Sequence, residues 1–386
     1  MITMKNIAPK VLGGLFGLYL ISAGISYLLF TYVIKSPQGI NPQNVAKTRG
    51  KIDASAPKTE ECPINGKMFT KAEREIWEKR RPLTVMIENH EESRPQSGLS
   101  SADVIYEAIA EGGITRFMGV FYCGASAEEV MLGPVRSART YFLDMASEYA
   151  DYPLYAHVGG ANRDGPADAL QQIINYGWDG YNDLNQFSIG FPTFRRDYER
   201  LGRTVATEHT MYSTTDKLWD VASERELTNE DKKGNKWNES YTPWKFTDGK
   251  ASASPQAASI SFPFWAGYSQ YAVKWTYDAA TNTYKRDNGG VPHQDLNNDQ
   301  QLDTTNVAVL FMKLRSLNDA EKHMLYTTTG TGNALVFNNG DVVKGTWSKK
   351  DRISRTIIKD SGGREIPFVR GPIWIEILDP ATTVSY

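Results

Sequence analysis

This sequence of 386 residues lacks several things, and each absence removes a class of function. It has two cysteines, Cys62 and Cys123, too few for a cysteine-built zinc or iron–sulfur framework. Its five histidines show no HExxH or other close ligand spacing, so the pattern assigns no metal site. Walker loop, Rossmann fingerprint and GxSxG elbow are all missing, so no cofactor is assigned. There is no internal repeat and no long low-complexity tract. Acid is absent from residues 1–51, which carry Lys5, Lys10, Lys35, Lys47, Arg49 and Lys51. The remainder, 52–386, is net −8 and lacks the basic footprint of a nucleic-acid binder, so no nucleic-acid partner is expected.

What is present starts with an apolar run. Residues 11–34, VLGGLFGLYLISAGISYLLFTYVI, hold 24 residues without a charge. As a helix they would extend roughly 36 Å, enough to cross a hydrocarbon core of about 30 Å with some tilt. Tyr27, Phe30 and Tyr32 gather at the far end like an interfacial belt. The run outlasts the apolar region of a cleaved signal peptide, so an uncleaved signal anchor is expected. Residues 1–10 would then be a cytoplasmic tail and 35–386 would lie outside. Cys62 and Cys123 either pair in an oxidising compartment or are both free.

Residues 35–80 read as a stalk with a short helix, opened by the capping-box pattern Thr70-Lys71-Ala72-Glu73. Residues 81–226 mix strand and helix patterns. LTVMI (83–87) and TRFMGVFY (115–122) read as strands, and ADVIYEAIA (102–110) is ambiguous. Helical spacing recurs over 137–150, 167–176 and 214–226. Residues 227–256 read as a linker, charged first and rich in small residues second. Residues 257–386 are strand-dominated, with Asn339-Gly340 a strong hairpin signal. The expected fold is an α/β or α+β N-terminal ectodomain, then a mostly β C-terminal domain, behind one N-terminal transmembrane helix.

Polar groups cluster beside glycines in the first domain, where strand ends offer fixed, reachable positions. Gly133–Arg139 reads as a turn delivering Arg136 and Arg139 to a helix start, which with Arg116 would clamp an anion bidentately. The competing reading pairs these arginines with nearby acids, Glu107, Glu111 and Asp144 among them. His90, His157 and His209, with Glu88 or Glu208, offer acid–base or metal-binding groups without supporting spacing. Residues 295–299, DLNND, begin like a calcium loop, but Gln300 stands where glycine is needed and Asn306 where glutamate is needed. The candidate ligand-binding residues are therefore Glu88, Glu107, Glu111, Arg116, Arg136, Arg139, His157 and His209.

The segments RPLTVMIENHEESRPQSGLSSADVIYEAIAEGGITRF, GPVRSAR, HVGG and EHTMYST resemble the YerB-like bacterial lipoproteins. GNALVFNNGDVVKGTWSK and GGREIPFVRGPIWIEILDP resemble the same family's C-terminal part. The likeness covers roughly 80–386 and implies both domains of unknown function 3048, in order, in an extracytoplasmic, membrane-attached protein. It implies no activity. The sequence departs from the lipoprotein pattern in having an apolar anchor where a lipidated cysteine is expected. The resulting expectation is a membrane-anchored protein that binds an anionic envelope polymer or lipid headgroup. The alternative is an envelope hydrolase or phosphotransferase using an arginine-lined pocket.

Overall fold

The computed structural model describes residues 17–22, 49–50, 52–53 and 55–386. Most of the expected anchor, 11–34, lies outside the described residues. Within it, residues 17–22 are helical, and Leu18 to Ile21 are exposed. Among the described residues no helix is long and apolar enough to cross a membrane.

The core is one mixed sheet of ten strands. The first half of the chain supplies Leu83–Glu88 (β1), Val104–Glu111 (β2), Ile114–Phe121 (β3), Leu154–His157 (β4) and Asp183–Asn185 (β5). The second half supplies Ser259–Phe262 (β6), Val273–Asp278 (β7) and Thr283–Asn288 (β8), which form a separate small sheet. It also supplies Asn306–Phe311 (β9), Gly330–Asn338 (β10), Asp341–Lys349 (β11), Ile357–Asp360 (β12) and Ile373–Leu378 (β13). The strand order of the large sheet is β12-β11-β10-β9-β13-β2-β3-β1-β4-β5. β13, near the end of the chain, lies between β9 and β2 and runs parallel to both. All six of its residues are buried, the mark of a strand covered on both faces. The two halves are thus hydrogen-bonded into one sheet.

Local chemistry explains most element positions. The run LTVMI becomes β1, wholly buried. The ambiguous segment becomes strand β2, because β3 and β13 flank it and consume its backbone hydrogen bonds. Lys71–Trp77 (α1) starts with both capping-box bonds in place: the Thr70 hydroxyl accepts from the Glu73 amide, and the Glu73 carboxylate accepts from the Thr70 amide. Helical spacing yields Thr140–Ala146 (α2), Ala169–Asn175 (α3) and Thr215–Glu224 (α4). Asn339 and Gly340 both have positive φ between β10 and β11, as a two-residue hairpin turn requires.

Two sequence expectations change. The stalk does not continue to residue 80. Arg49 already bonds the Asp216 carboxylate at 2.5 Å and the Ser126 carbonyl at 3.0 Å, and Cys62, Ile64, Phe69 and Trp77 are buried. The segment 227–256 is not a loose linker, because Leu227, Trp237, Tyr241 and Trp244 are buried in the core. Its polar composition hid three aromatics whose burial fixes the segment to the body. Asp295, where the broken calcium-loop pattern begins, is engaged within the chain: its oxygens accept the amides of Gly98, Ser100 and Asn297. The cysteine alternatives resolve into a Cys62–Cys123 disulfide.

Candidate functional site

β1, β4 and β5 run parallel, and β2 runs the same way through the antiparallel β3. Their carboxyl ends carry Glu88, His157, Asn185 and Glu111 along one rim of the sheet. In open α/β sheets this rim is where ligands bind. A groove of about 490 Å³ opens there, lined by Arg136, Gly159, Gly160, Asn185, Phe187 and Arg196 among others. A separate apolar hollow of about 460 Å³, with Phe264, Trp265, Leu314 and Met324 in its wall, holds none of the residues singled out from the sequence.

The arginines are largely occupied by acids. Arg116 sits opposite both Glu88 and Ala108 in register, so it shares their face of the sheet. Strict alternation would put Glu111 with Glu107 on the other face. A bulge between Ile109 and Glu111 inserts one residue and turns Glu111 to the Arg116 side. There Glu111 accepts from Arg116 at 2.8 Å and from Arg139 at 2.7 and 3.0 Å. Arg136 donates from Nε to Glu88 at 3.0 Å. The expected anion cradle at a helix start is not formed. Residues 135–138 run as extended chain, with the amides of Val135, Arg136 and Ala138 bonded to Met211, Met86 and Gly159 carbonyls. Helix α2 begins only at Thr140, and the Arg139 side chain at its N-cap position bonds Glu111 and does not cap the helix.

Burial alone would raise the Glu111 carboxyl, but the Arg116 and Arg139 guanidiniums hold it down at about 2 from an ordinary 4.5. A depressed carboxyl stabilises the fold above its unfolded value and stops doing so as pH falls through its folded value. Glu111→Gln should therefore flatten the loss of stability between about pH 4.5 and 2. Thermal melts across that range check this, and an unchanged acid limb would remove Glu111 as its source.

The histidines divide. His157 is fully buried, with Nδ1 on the Gly159 carbonyl at 2.6 Å and Nε2 on Asp183 at 2.5 Å. Both nitrogens are spent, so it braces β4 against β5 and offers nothing to a ligand. His209 is buried beside the groove, its Nδ1 2.7 Å from Glu88. That hydrogen bond raises the His209 pKa against its partial burial. Glu88 is driven up by burial, but His209 and Arg136 outweigh this and lower it. His90 stacks on His209 with ring centres 4.8 Å apart and planes 11° apart. Glu208 lines the groove. The structure therefore unites Glu88, Arg136 and His209 at the rim, with Glu111, Arg116 and Arg139 alongside.

Glu107 leaves this group. It faces the opposite side of the sheet, where it accepts from Arg286 at 2.5 Å and from Thr115 at 2.7 Å. Arg286 also bonds His293, which reaches Gln96, while Asn89 donates to Glu107 and Thr115 and accepts from Asn288. Every one of these side chains is buried. Nothing in the sequence joined Arg286 to Glu107, because 179 positions separate them.

Comparison with known proteins fits this architecture. Residues 69–228 match the family described as "Protein of unknown function (DUF3048) N-terminal domain", and 260–375 match its C-terminal domain. The Bacillus subtilis (strain 168) protein described as "Putative lipoprotein YerB" is 26% identical over 324 residues, covering 84% of this chain and 88% of that protein. A crystal structure of the YerB protein from Bacillus subtilis superposes with a TM-score of 0.67 at 24% identity, covering 85% of this chain and all of that one.

Proposed function

Since this chain belongs to the DUF3048 family, described as of unknown function, we propose from its own geometry that it is an extracytoplasmic, membrane-held protein that binds an anionic ligand of the cell envelope. The lipoprotein description of the Bacillus relative supports attachment at a membrane. The uncharged run 11–34 supplies a single-pass anchor, with 35–386 outside the cytoplasm. The disulfide supports an oxidising compartment.

One observation carries the ligand reading. Arg136 commits Nε to Glu88, and among the described residues its terminal nitrogens have no partner, while the side chain lines the groove. A guanidinium held by one edge presents the other to phosphate or carboxylate. Asn185, Arg196 and the Gly159-Gly160 backbone add polar positions, and the 75% exposed Phe187 ring adds an apolar wall. The ligand class is a phosphate-bearing envelope polymer or lipid headgroup.

The full chain in detergent, titrated calorimetrically with a glycerol phosphate oligomer, should bind it. Arg136→Ala should weaken binding at least roughly tenfold, since a charge-assisted contact contributes about 1.5–3 kcal/mol. The melting temperature should fall only modestly, because Glu88 keeps His209. No binding by the parent, together with a large drop in melting temperature, would mean that Arg136 serves Glu88 alone.

The Glu88–His209 bond favours a second reading, an envelope hydrolase or phosphotransferase. A buried carboxylate on Nδ1 orients the imidazole so that Nε2 can take a proton. Turnover of a phosphodiester by the parent, lost in His209→Gln, separates this reading from binding alone.

A further inference from the structure

We infer that His209, Glu92 and His90 form a binding site for a divalent transition-metal cation of the zinc type. Their donor atoms lie within 4.8 Å of one another. The inference rests on neither the anion nor the enzyme reading.

The argument begins behind His209. Its Nδ1 donates to Glu88 at 2.7 Å, and Glu88 stays an acceptor because Arg136 holds its other oxygen at 3.0 Å. With Nδ1 donating to Glu88, Nε2 is the nitrogen left to ligate a cation, whose binding releases any proton held there. A metal-binding histidine is characteristically backed in this way, by a carboxylate that fixes the tautomer and raises ligand basicity. Nε2 then faces an acceptor, the Glu92 carboxylate, at 3.6 Å. Two donors of a tetrahedral zinc, each about 2.0–2.2 Å from the metal, stand roughly 3.4 Å apart. The pair is therefore spaced for a shared cation.

His90 supplies the third donor. As the side chains stand, its ring lies parallel to His209, so no single cation can lie in both ring planes. Ligation turns the His90 ring. What it gives up is the stacking and one long bond, 3.3 Å, from the Glu92 amide to its Nδ1. It is only half-buried, so the turn meets little packing. Three protein ligands leave the fourth position open, the arrangement of zinc sites that take up water or substrate.

Among the described residues, two other donor clusters lack this architecture. Cys62 and Cys123 are joined to each other, and the Asp103 beside them accepts amides from Tyr122 and Gly124. His323 is already tied to Asp319 at 2.7 Å, and Glu321 to Arg163 at 2.6 Å.

The test is zinc titration of the chelator-treated full chain in detergent, followed by calorimetry and metal analysis. One zinc per chain is expected. His90→Ala and His209→Ala should each lower affinity at least roughly tenfold, and Glu88→Gln roughly ten- to a hundredfold. His323→Ala should bind as the parent does. His90 is only half-buried, so its variant remains informative even if the His209 variant folds poorly. No zinc on the parent, or parent-like affinity in His90→Ala, overturns the site. Loss of zinc in His323→Ala with retention in His209→Ala would overturn it equally.

Discussion

Arg286→Met is expected to destabilise the protein by about 3–5 kcal/mol, the usual cost of stranding one partner of a buried ion pair. Arg286 and Glu107 are both fully buried and lie 2.5 Å apart. The guanidinium also donates to His293 at 2.7 Å and lies 4.7 Å from the centre of the Trp374 ring. Burial and the nearby Glu107 charge push the Glu376 carboxyl well up, so it stays protonated. Burial and Arg286 together push His293 well down, so it stays neutral. One cation thus answers one anion in a cluster of four titratable groups. Removing it strands the buried Glu107 carboxyl without its ion-pair partner, beside the Phe117, Trp275 and Trp374 rings that surround the guanidinium. Urea unfolding of the variant checks the size of the loss. Adding Glu107→Gln should recover more than half of it, because glutamine still accepts from Thr115 and Asn89 without carrying a charge. If the second change recovers nothing, the damage is a packing cavity and the ion pair is incidental.

The same residues show where sequence reading stops. β1, β3, α1 and the Asn339-Gly340 hairpin were legible because each depends on residues adjacent in the chain: an apolar run, an alternation, a capping box, a pair with positive φ. The position of β13 was not. IWIEIL reads as a strand, but its neighbours, β2 and β9, are chosen by hydrogen bonds across long separations. The domain picture from the sequence treated 81–226 and 257–386 as successive units. Composition changes between them, whereas the sheet that joins them leaves no local mark.

The rim was half legible. Glycines and charges beside strand ends pointed to Glu88, Arg136 and His209, because binding groups collect where strands stop. Their partners could not be read. Nothing near Glu111 announces the bulge that turns it to Arg116, and without the bulge Glu107 and Glu111 look equivalent. His157 looked like a ligand candidate until Asp183, on the next parallel strand, took its second nitrogen. Gly133–Arg139 suggested a helix start because the helical spacing continues from it. The chain instead stays extended to Arg139, since its amides complete bonds to three separate segments.

Replacing Cys62 and Cys123 together by alanine should cost roughly 4 kcal/mol, the loop-closure value for a bridge spanning 61 residues. That figure treats the bridge as a constraint on the unfolded chain, and the native surroundings favour this view. Asp103, fully buried beside the sulfurs, accepts the amides of Tyr122 and Gly124 at 2.7 and 2.9 Å and the Asn65 side chain at 2.7 Å. These bonds hold the segments on either side of the bridge without help from sulfur. The double variant should therefore keep its fold and show a lower unfolding midpoint with little change in the denaturant slope. A change in slope would mean that the native packing itself depends on the bridge. The same bond reports location. Thiols of a protein facing the cytoplasm are kept reduced, whereas an oxidising exterior preserves the bridge. Trapping free thiols with an alkylating reagent in intact cells, then denaturing without reductant, should leave both cysteines unmodified. Two alkylated cysteines per chain would contradict an extracytoplasmic body directly, and would predict that the roughly 4 kcal/mol is absent from the protein where it works.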